Sequence, residues 1–312
     1  MTASPARSPF EAERDRLTWL SYRMLGSWRD AEDVVQDVAV EWIIAADAIE
    51  NPAGWLTTIT VRRSIDALRR RRRAETYVGP WLPEPFVSEP VSGPSGSAPE
   101  ESVERDETLT MVFLTLAERL TPPQRAVIVL RALDYSHDEV ARMLQITSAA
   151  SRQHQRRGTV ALRRAEEAVA NRQSGRCAHR GPSHRSQEER ALLTAFLTAA
   201  RDGDVEALSA LLADEVVAYN DGGGRMRAAL RPLFGRANVA RFVVGVADLH
   251  RARRAVRLVT VNGGPGAIVT LSGAEHVVSL DVRDGVIHRV FDVCNPDKLG
   301  RVRETGRPQP VV

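Results

Sequence analysis

Along the first quarter of the chain, apolar residues recur at spacings of three and four, the period of one helical face. Leu17, Leu20, Met24 and Leu25 form one stripe, and Val34, Val35, Val38 and Trp42 a second. Between them, GSWRDAED reads as a Gly-Ser break followed by Asp30 as N-cap, with acids in the first turn. Asn51 and Pro52 open a third helix whose buried side carries Trp55, Ile59, Ile65 and Leu68. Phe10 to Arg73 thus predicts a small helical bundle. A second helical stretch runs from Thr108 to Asn171. In it Thr121 caps a helix with Pro122 at its first position, continuing to Leu133, and Ser136 caps a short helix with Val140 and Leu144. After QIT, Ser148 begins a long arginine-rich helix toward Leu162. Helix, short turn, helix is the helix-turn-helix layout, whose second helix enters a DNA major groove.

Beyond RQSGRCAHRGPSHRSQ the period changes. Helices are expected at 188–201, at Asp204–Leu212 and near 237–248, with a strand at VVAYN. Four strand-like runs follow, RAVRLVTV, AIVTL, EHVVSLDV and VIHRVFDV, separated by NGGPG, SGA and RDG turns. Helices followed by a meander indicate an α+β domain with a curved sheet. The expected organisation is multidomain: residues 1–85 and 108–172 as all-α modules, 86–107 as a flexible linker, 173–187 as a second linker, 188–300 as the α+β domain and 301–312 as a disordered tail.

One stretch breaks the linker pattern. YVGPWLPEP, Tyr77 to Pro85, places two large aromatics among prolines just ahead of the Pro-, Ser- and Gly-rich 86–107. A spacer gains nothing by carrying apolar rings into water, so something must cover them.

Charge adds a distribution rather than a sum. Net charge is only +3, but arginines crowd at 62–73 and 152–185 while 100–107 is acidic, which suggests separate positive faces. Lys298 is the only lysine. Cys177 and Cys294 match neither a disulfide framework nor a zinc site, so no metal or cofactor is expected. With no apolar N-terminal leader pattern and no apolar run near 18 residues, a cytoplasmic protein without a membrane partner is expected.

These stretches support a resemblance. LSYRMLGSWRDAEDVVQDVAVEW followed by NPAGWLTTITVRRSIDALRRRRR resembles region 2 of extracytoplasmic-function sigma factors, and LTPPQRAVIVLRALDYSHDEVARMLQITSAASRQ resembles their region 4. WLPEP, the DGGGR at Asp221 to Arg225 and the NPDKL at Asn295 to Leu299 look like motifs of the subgroup with a C-terminal SnoaL-like domain of NTF2-like cone fold. The resemblance implies a group IV sigma factor that directs core RNA polymerase to promoters under control of its own third domain.

Residue by residue, it implies that Asp30, Asp33, Gln36 and Asp37 meet the β′ clamp of core polymerase, with region 4 reaching the β flap. Trp55, Arg62, Arg63, Arg69 and Arg70 would serve the −10 element, the arginines on phosphates and Trp55 as a stacking surface or simply a core residue. Thr147 and Ser148 suit phosphate contacts at the −35 element, and Arg152, Gln153 and Arg156 can reach base edges. Ser151, His154, Gln155 and Gly158 stand where the family usually has apolar residues, so the recognition helix is expected to be poorly anchored and −35 binding weak or degenerate. Trp81, Leu82, Pro83, Glu84 and Pro85 are expected to dock on Asp221, Gly222, Gly223, Gly224 and Arg225 and on Asn295, Pro296, Asp297, Lys298 and Leu299, an in-cis regulator replacing a separate anti-sigma protein and holding the two sigma modules in one orientation.

Two other classes compete. SnoaL-like folds include isomerases and hydrolases, for which Tyr219, Asp221, His276, His288 and Asp292 are the available groups, with His288 and Asp292 paired on one strand face. A ligand-sensing operator-binding regulator is the third. A small ligand in the NTF2-like pocket and self-association through the curved sheet are further partners this fold allows.

Overall fold

The computed structural model describes residues 8–73, 77–88, 107–170, 182–250 and 254–305. Helix α1, Pro9–Leu25, starts where Ser8 accepts a hydrogen bond from Glu11 N, and stops at Gly26, whose left-handed φ of 67° no β-carbon would favour. Ser27, three residues ahead of the expected Asp30, caps α2, Trp28–Ala45; Asp30 sits in the first turn and donates its amide to Ser27. Asn51 Oδ1 accepts from Gly54 N at the start of α3, Pro52–Arg73. Phe10, Leu17, Val35, Val38, Trp42 and Leu56 form the core of this bundle. Tyr22 stacks on Trp28 with ring centroids 4.3 Å apart.

The same compact unit holds Leu116–Ala165. Capping boxes at Thr121/Gln124 and Ser136/Glu139 start α5, Pro122–Ala132, and α6, His137–Leu144; α7 is Ser148–Ala170. Helices α5 and α6 pack on α3. The two expected all-α modules therefore pack together within one compact unit. Arg125, 1% exposed, shows why: its guanidinium is paired with Glu118, which also accepts from Arg71 of α3 at 2.6 Å.

The second unit, Thr76–Thr115 with Glu166–Val312, takes the segment expected at the end of the first module. Its elements are β1 Val87–Ser88, α4 Met111–Leu116 at the unit boundary, α8 Pro182–Asp202, α9 Val205–Leu211, β2 Leu212–Asp221, β3 Leu233–Phe234, α10 Arg236–Leu249, β4 Arg254–Val261, β5 Gly264–Leu271, β6 Ala274–Arg283, β7 Val286–Val293 and α11 Gly300–Thr305. The sheet order is β1-β4-β5-β6-β7-β2-β3, with β2 and β7 parallel and the other pairs antiparallel. Asn262-Gly263, Ser272-Gly273 and Asp284-Gly285 all have positive φ, the condition for tight two-residue hairpins that keep the strand twist.

One sheet face packs on α8, α9 and α10 through Phe196, Leu208, Val216, Ala218, Val239, Val282 and Val290. The other is covered by linker residues Leu82, Val87 and Met111 and by Leu299 and Val302. Three boundaries change accordingly. Val87–Ser88 of the expected flexible linker is strand β1, paired with β4, because Val87 is buried there. Residues 182–187 of the second linker open α8. Residues 301–305 of the expected tail are in α11, anchored by Val302 at 2% exposure. The expected linker positions 89–106 and 171–181, which include Cys177, and tail positions 306–312 lie outside the described residues.

Candidate functional site

On α2, Asp33, Gln36 and Asp37 are exposed and Asp30 partly so, opposite the buried Val34, Val35 and Val38. Val40, Ile43 and Ile44 at the C-terminal end of that helix are 58%, 78% and 82% exposed. Sequence reasoning did not name these three; their signal was apolar residues off the buried stripe.

The expected −10 residues are scattered in their engagements. Trp55 is partly buried against the bundle core, its ring 5.9 Å from Trp42. Arg62 Nε donates to the Met143 carbonyl at 2.9 Å, Arg63 Nε to Glu41 at 2.6 Å, and Arg69 to Asp66 at 3.1 Å; Arg70 is exposed. Arg72 donates to the Leu120 carbonyl. Burial, offset in part by Glu118, lowers the Arg125 guanidinium to about 10. Glu118 and Arg125, which bind this face to α5, were not named from the sequence.

On α7, Arg152, Gln153 and Arg156 are exposed. The Thr147 hydroxyl caps Ala150 N at 3.1 Å, and the Ser148 hydroxyl is bonded to Asp138. The expectation of a poorly anchored helix needs correction at two positions. Ser151 is fully buried with its hydroxyl 2.8 Å from His137 Nδ1, so a polar bond replaces the usual apolar contact. At Gly158 a β-carbon would lie 2.6 Å from Ile128 Cδ1, so its absence allows α7 to approach α5 closely.

The structure brings the three short motifs together around Asp221, which is 0% exposed. Its carboxylate accepts from Tyr77 OH at 2.6 Å, from Leu82 N at 2.8 Å and from Lys298 Nζ at 2.7 Å. Lys298 also donates to the Leu82 carbonyl and lies over two rings, 4.7 Å from the centroid of Tyr77 and 4.3 Å from that of Trp81. Asn295 Nδ2 donates to Tyr77 OH at 2.8 Å. Burial first, then the Asp221 charge, pushes the Tyr77 phenol far above its ordinary value, so it stays a donor.

Gly223, with φ of 56°, would place a β-carbon 2.1 Å from Asn295 Nδ2, and Gly224 would meet Val78 at 3.2 Å. Gly222 is closed by the Met226 carbonyl at 2.5 Å. Leu82, Pro83, Pro85 and Leu299 are buried, Trp81, Glu84 and Pro296 half-buried, and Arg225 and Asp297 form an exposed ion pair at 3.3 Å. Further along, Phe86 and Asn262 exchange hydrogen bonds, and Asn262 Nδ2 donates to the Leu109 carbonyl at 2.9 Å. Tyr77 and Asn262 were absent from the expected docking set. Tyr77 was visible as an unexplained linker aromatic, whereas Asn262 looked like an ordinary hairpin residue.

The expected His288–Asp292 pair does not form. Asp292 accepts from His276 Nδ1 at 3.0 Å, while His288 Nδ1 is 3.7 Å from Glu215. His288 is the extra residue of a β-bulge: Asp281 pairs with Arg289 and Val282 with Ile287, skipping one position. Alternation reverses there, so Ile287 joins Val290 on the helix side rather than Phe291 and Val293. Tyr219 stacks on Phe291 at 5.7 Å. Burial, only partly offset by Asp281 and Glu215, holds His288 below its ordinary value. At His276 burial acts in the same direction, but Asp292 outweighs it and the net shift is upward.

A helical bundle with a basic third helix, a helix-turn-helix packed on it and a fused α+β domain whose helices cover one face of a seven-stranded sheet define a multidomain DNA-binding protein. Sigma-70 region 2 matches residues 10–74 and Sigma-70 region 4 matches residues 110–162. The ECF RNA polymerase sigma factor SigJ of Mycobacterium tuberculosis is 32% identical over 97% of this chain and 96% of its own. The crystal structure of that sigma factor aligns over 93% of this chain and 96% of its own, with a TM-score of 0.72 and 29% identity. A probable ECF sigma factor of the same organism, SigI, is 24% identical over 67% of each chain. The chain belongs to the extracytoplasmic-function RNA polymerase sigma factors, which direct RNA polymerase to promoters and initiate transcription. Among the described residues no helix is long and apolar enough to cross a membrane.

Proposed function

We propose that the C-terminal domain regulates this sigma factor in cis by latching its own interdomain linker, and that Asp221 is the centre of the latch. The observation that carries it is the convergence of Tyr77 OH, Leu82 N and Lys298 Nζ on one fully buried carboxylate. A linker held at Leu82–Ser88 and again at Leu109–Met111 has its reach set by the sheet rather than by chain length. The latch thereby limits how far regions 2 and 4 can part. Promoter engagement requires such parting, since Arg62 must exchange the Met143 carbonyl for phosphate before it serves the −10 element. Arg63, Arg69 and Arg70 act with it on phosphates; Trp55 supports the bundle core.

Arg152, Gln153 and Arg156 read the −35 element, where their exposure leaves them accessible, with Thr147 and Ser148 setting the helix start. The acidic side of α2, with Val40, Ile43 and Ile44, meets core polymerase at its β′ clamp, and region 4 meets the β flap. In this role the third domain is a binding module, not a catalyst, because Asp221 is saturated by the linker. The test is run-off transcription with purified core polymerase, comparing the full chain with Trp81→Ala, Asp221→Asn and a chain ending at Gln187. The expected result is altered promoter output in all three. Output equal to that of the unmodified chain would refute the latch while leaving sigma activity intact.

A further inference from the structure

His276 on β6, Asp292 on β7 and Cys294 just beyond β7 each offer one ligand atom, and the three atoms lie within 4.8 Å of one another. Val278 pairs with Asp292 and Val277 with Val293, so continuing the register sets His276 across from Cys294 on one face. That face is the helix side, because Val290, two residues before Asp292, packs in the helix-side core. It is opposite to the face that carries Phe291, Val293 and the linker residues. The imidazole and carboxylate side chains are 12% and 19% exposed, and Cys294 is 2% exposed.

One imidazole, one carboxylate and one thiol are the ligand types of zinc-class metals. Tetrahedral zinc with metal–ligand distances of about 2.0–2.3 Å needs ligand atoms roughly 3.3–3.8 Å apart, a contraction that side-chain rotation can supply.

A second observation is independent of the three ligands. Asn220, 5% exposed, pairs in register with Asp292 on the adjacent strand, and its Nδ2 is buried without a hydrogen-bond partner. Buried donors rarely go unpaired. A water or anion completing a three-ligand metal would supply the missing acceptor.

We propose that His276, Asp292 and Cys294 bind a zinc-class divalent metal on the helix-side face of the C-terminal sheet, with an open fourth position facing Asn220. The site stands back to back with the linker contacts, since the amides of Cys294 and Asn295 both donate to the Asp221 carbonyl, at 2.9 and 2.8 Å.

The test uses the untagged full chain titrated with cobalt(II) and then with zinc(II). Binding of one equivalent with a thiolate-to-cobalt charge-transfer band, displaced by zinc, is expected. The band should vanish in Cys294→Ser and persist in Cys177→Ser. His276→Gln and Asp292→Asn should each weaken binding by at least roughly 10–100-fold, the scale on which even outer partners of a metal ligand act. Zinc should also raise the thermal midpoint of the unmodified chain and not that of Cys294→Ser. Absence of the band in the unmodified chain, its loss in Cys177→Ser, or binding unchanged in both His276→Gln and Asp292→Asn would each overturn the proposal. Because the first of these needs no variant, a misfolded substitution leaves the question answerable.

Discussion

Asp221 and Lys298 form a nearly dry ion pair, 0% and 8% exposed in their side chains. Removing one partner strands the other charge, which typically costs about 3–5 kcal/mol, whereas removing both is far milder. Asp221→Asn and Lys298→Met should therefore each destabilise the C-terminal unit strongly in urea unfolding, and the double variant should recover much of the loss. Equal or additive effects would show that hydrogen bonds, not charge pairing, hold the linker. His288 provides a pH test with a definite sign. Its folded value is lowered, so below the ordinary imidazole value of about 6.5 the unfolded chain binds a proton that the folded chain resists. Stability should fall as pH drops from above about 6.5 to below it, and His288→Gln should flatten that dependence.

At the scale of elements, helix α7 illustrates how composition misleads about packing. Ser151 and Gly158 read as losses of anchoring because a serine buries little and a mid-helix glycine costs about 1 kcal/mol against alanine. In the fold the serine bonds His137, and the glycine makes room for Ile128. Gly158→Leu should therefore destabilise the first unit by roughly 1–3 kcal/mol through overpacking, although leucine is the better helix former; thermal melting of the variant checks this. The caps of α5 and α6 were legible from Thr, Pro and Ser at their starts, since capping is satisfied within a few residues. The bulge at His288 was not legible, because it depends on the partner strand's register.

For the whole molecule, promoter binding should be strongly salt-dependent, and substitution of a phosphate-contacting arginine should reduce the slope by about one. Arg152→Ala and Arg156→Ala, assayed for promoter binding across salt and across sequence variants, separate the two roles. A base-reading residue should instead cost roughly 1–3 kcal/mol and relax specificity at one position. The amino-acid sequence by itself determined the two helical modules, the helix-turn-helix, the α+β domain and the three short motifs, because periodicity, caps and tight turns are local. It also showed that the linker aromatics needed a cover. Only the tertiary structure decided that regions 2 and 4 share one compact unit, that the linker belongs with the C-terminal sheet, and that one carboxylate gathers Tyr77, Leu82 and Lys298. Those outcomes rest on contacts between residues far apart in the chain, 47 positions for Arg71 with Glu118 and 77 for Lys298 with Asp221, and no local pattern encodes them.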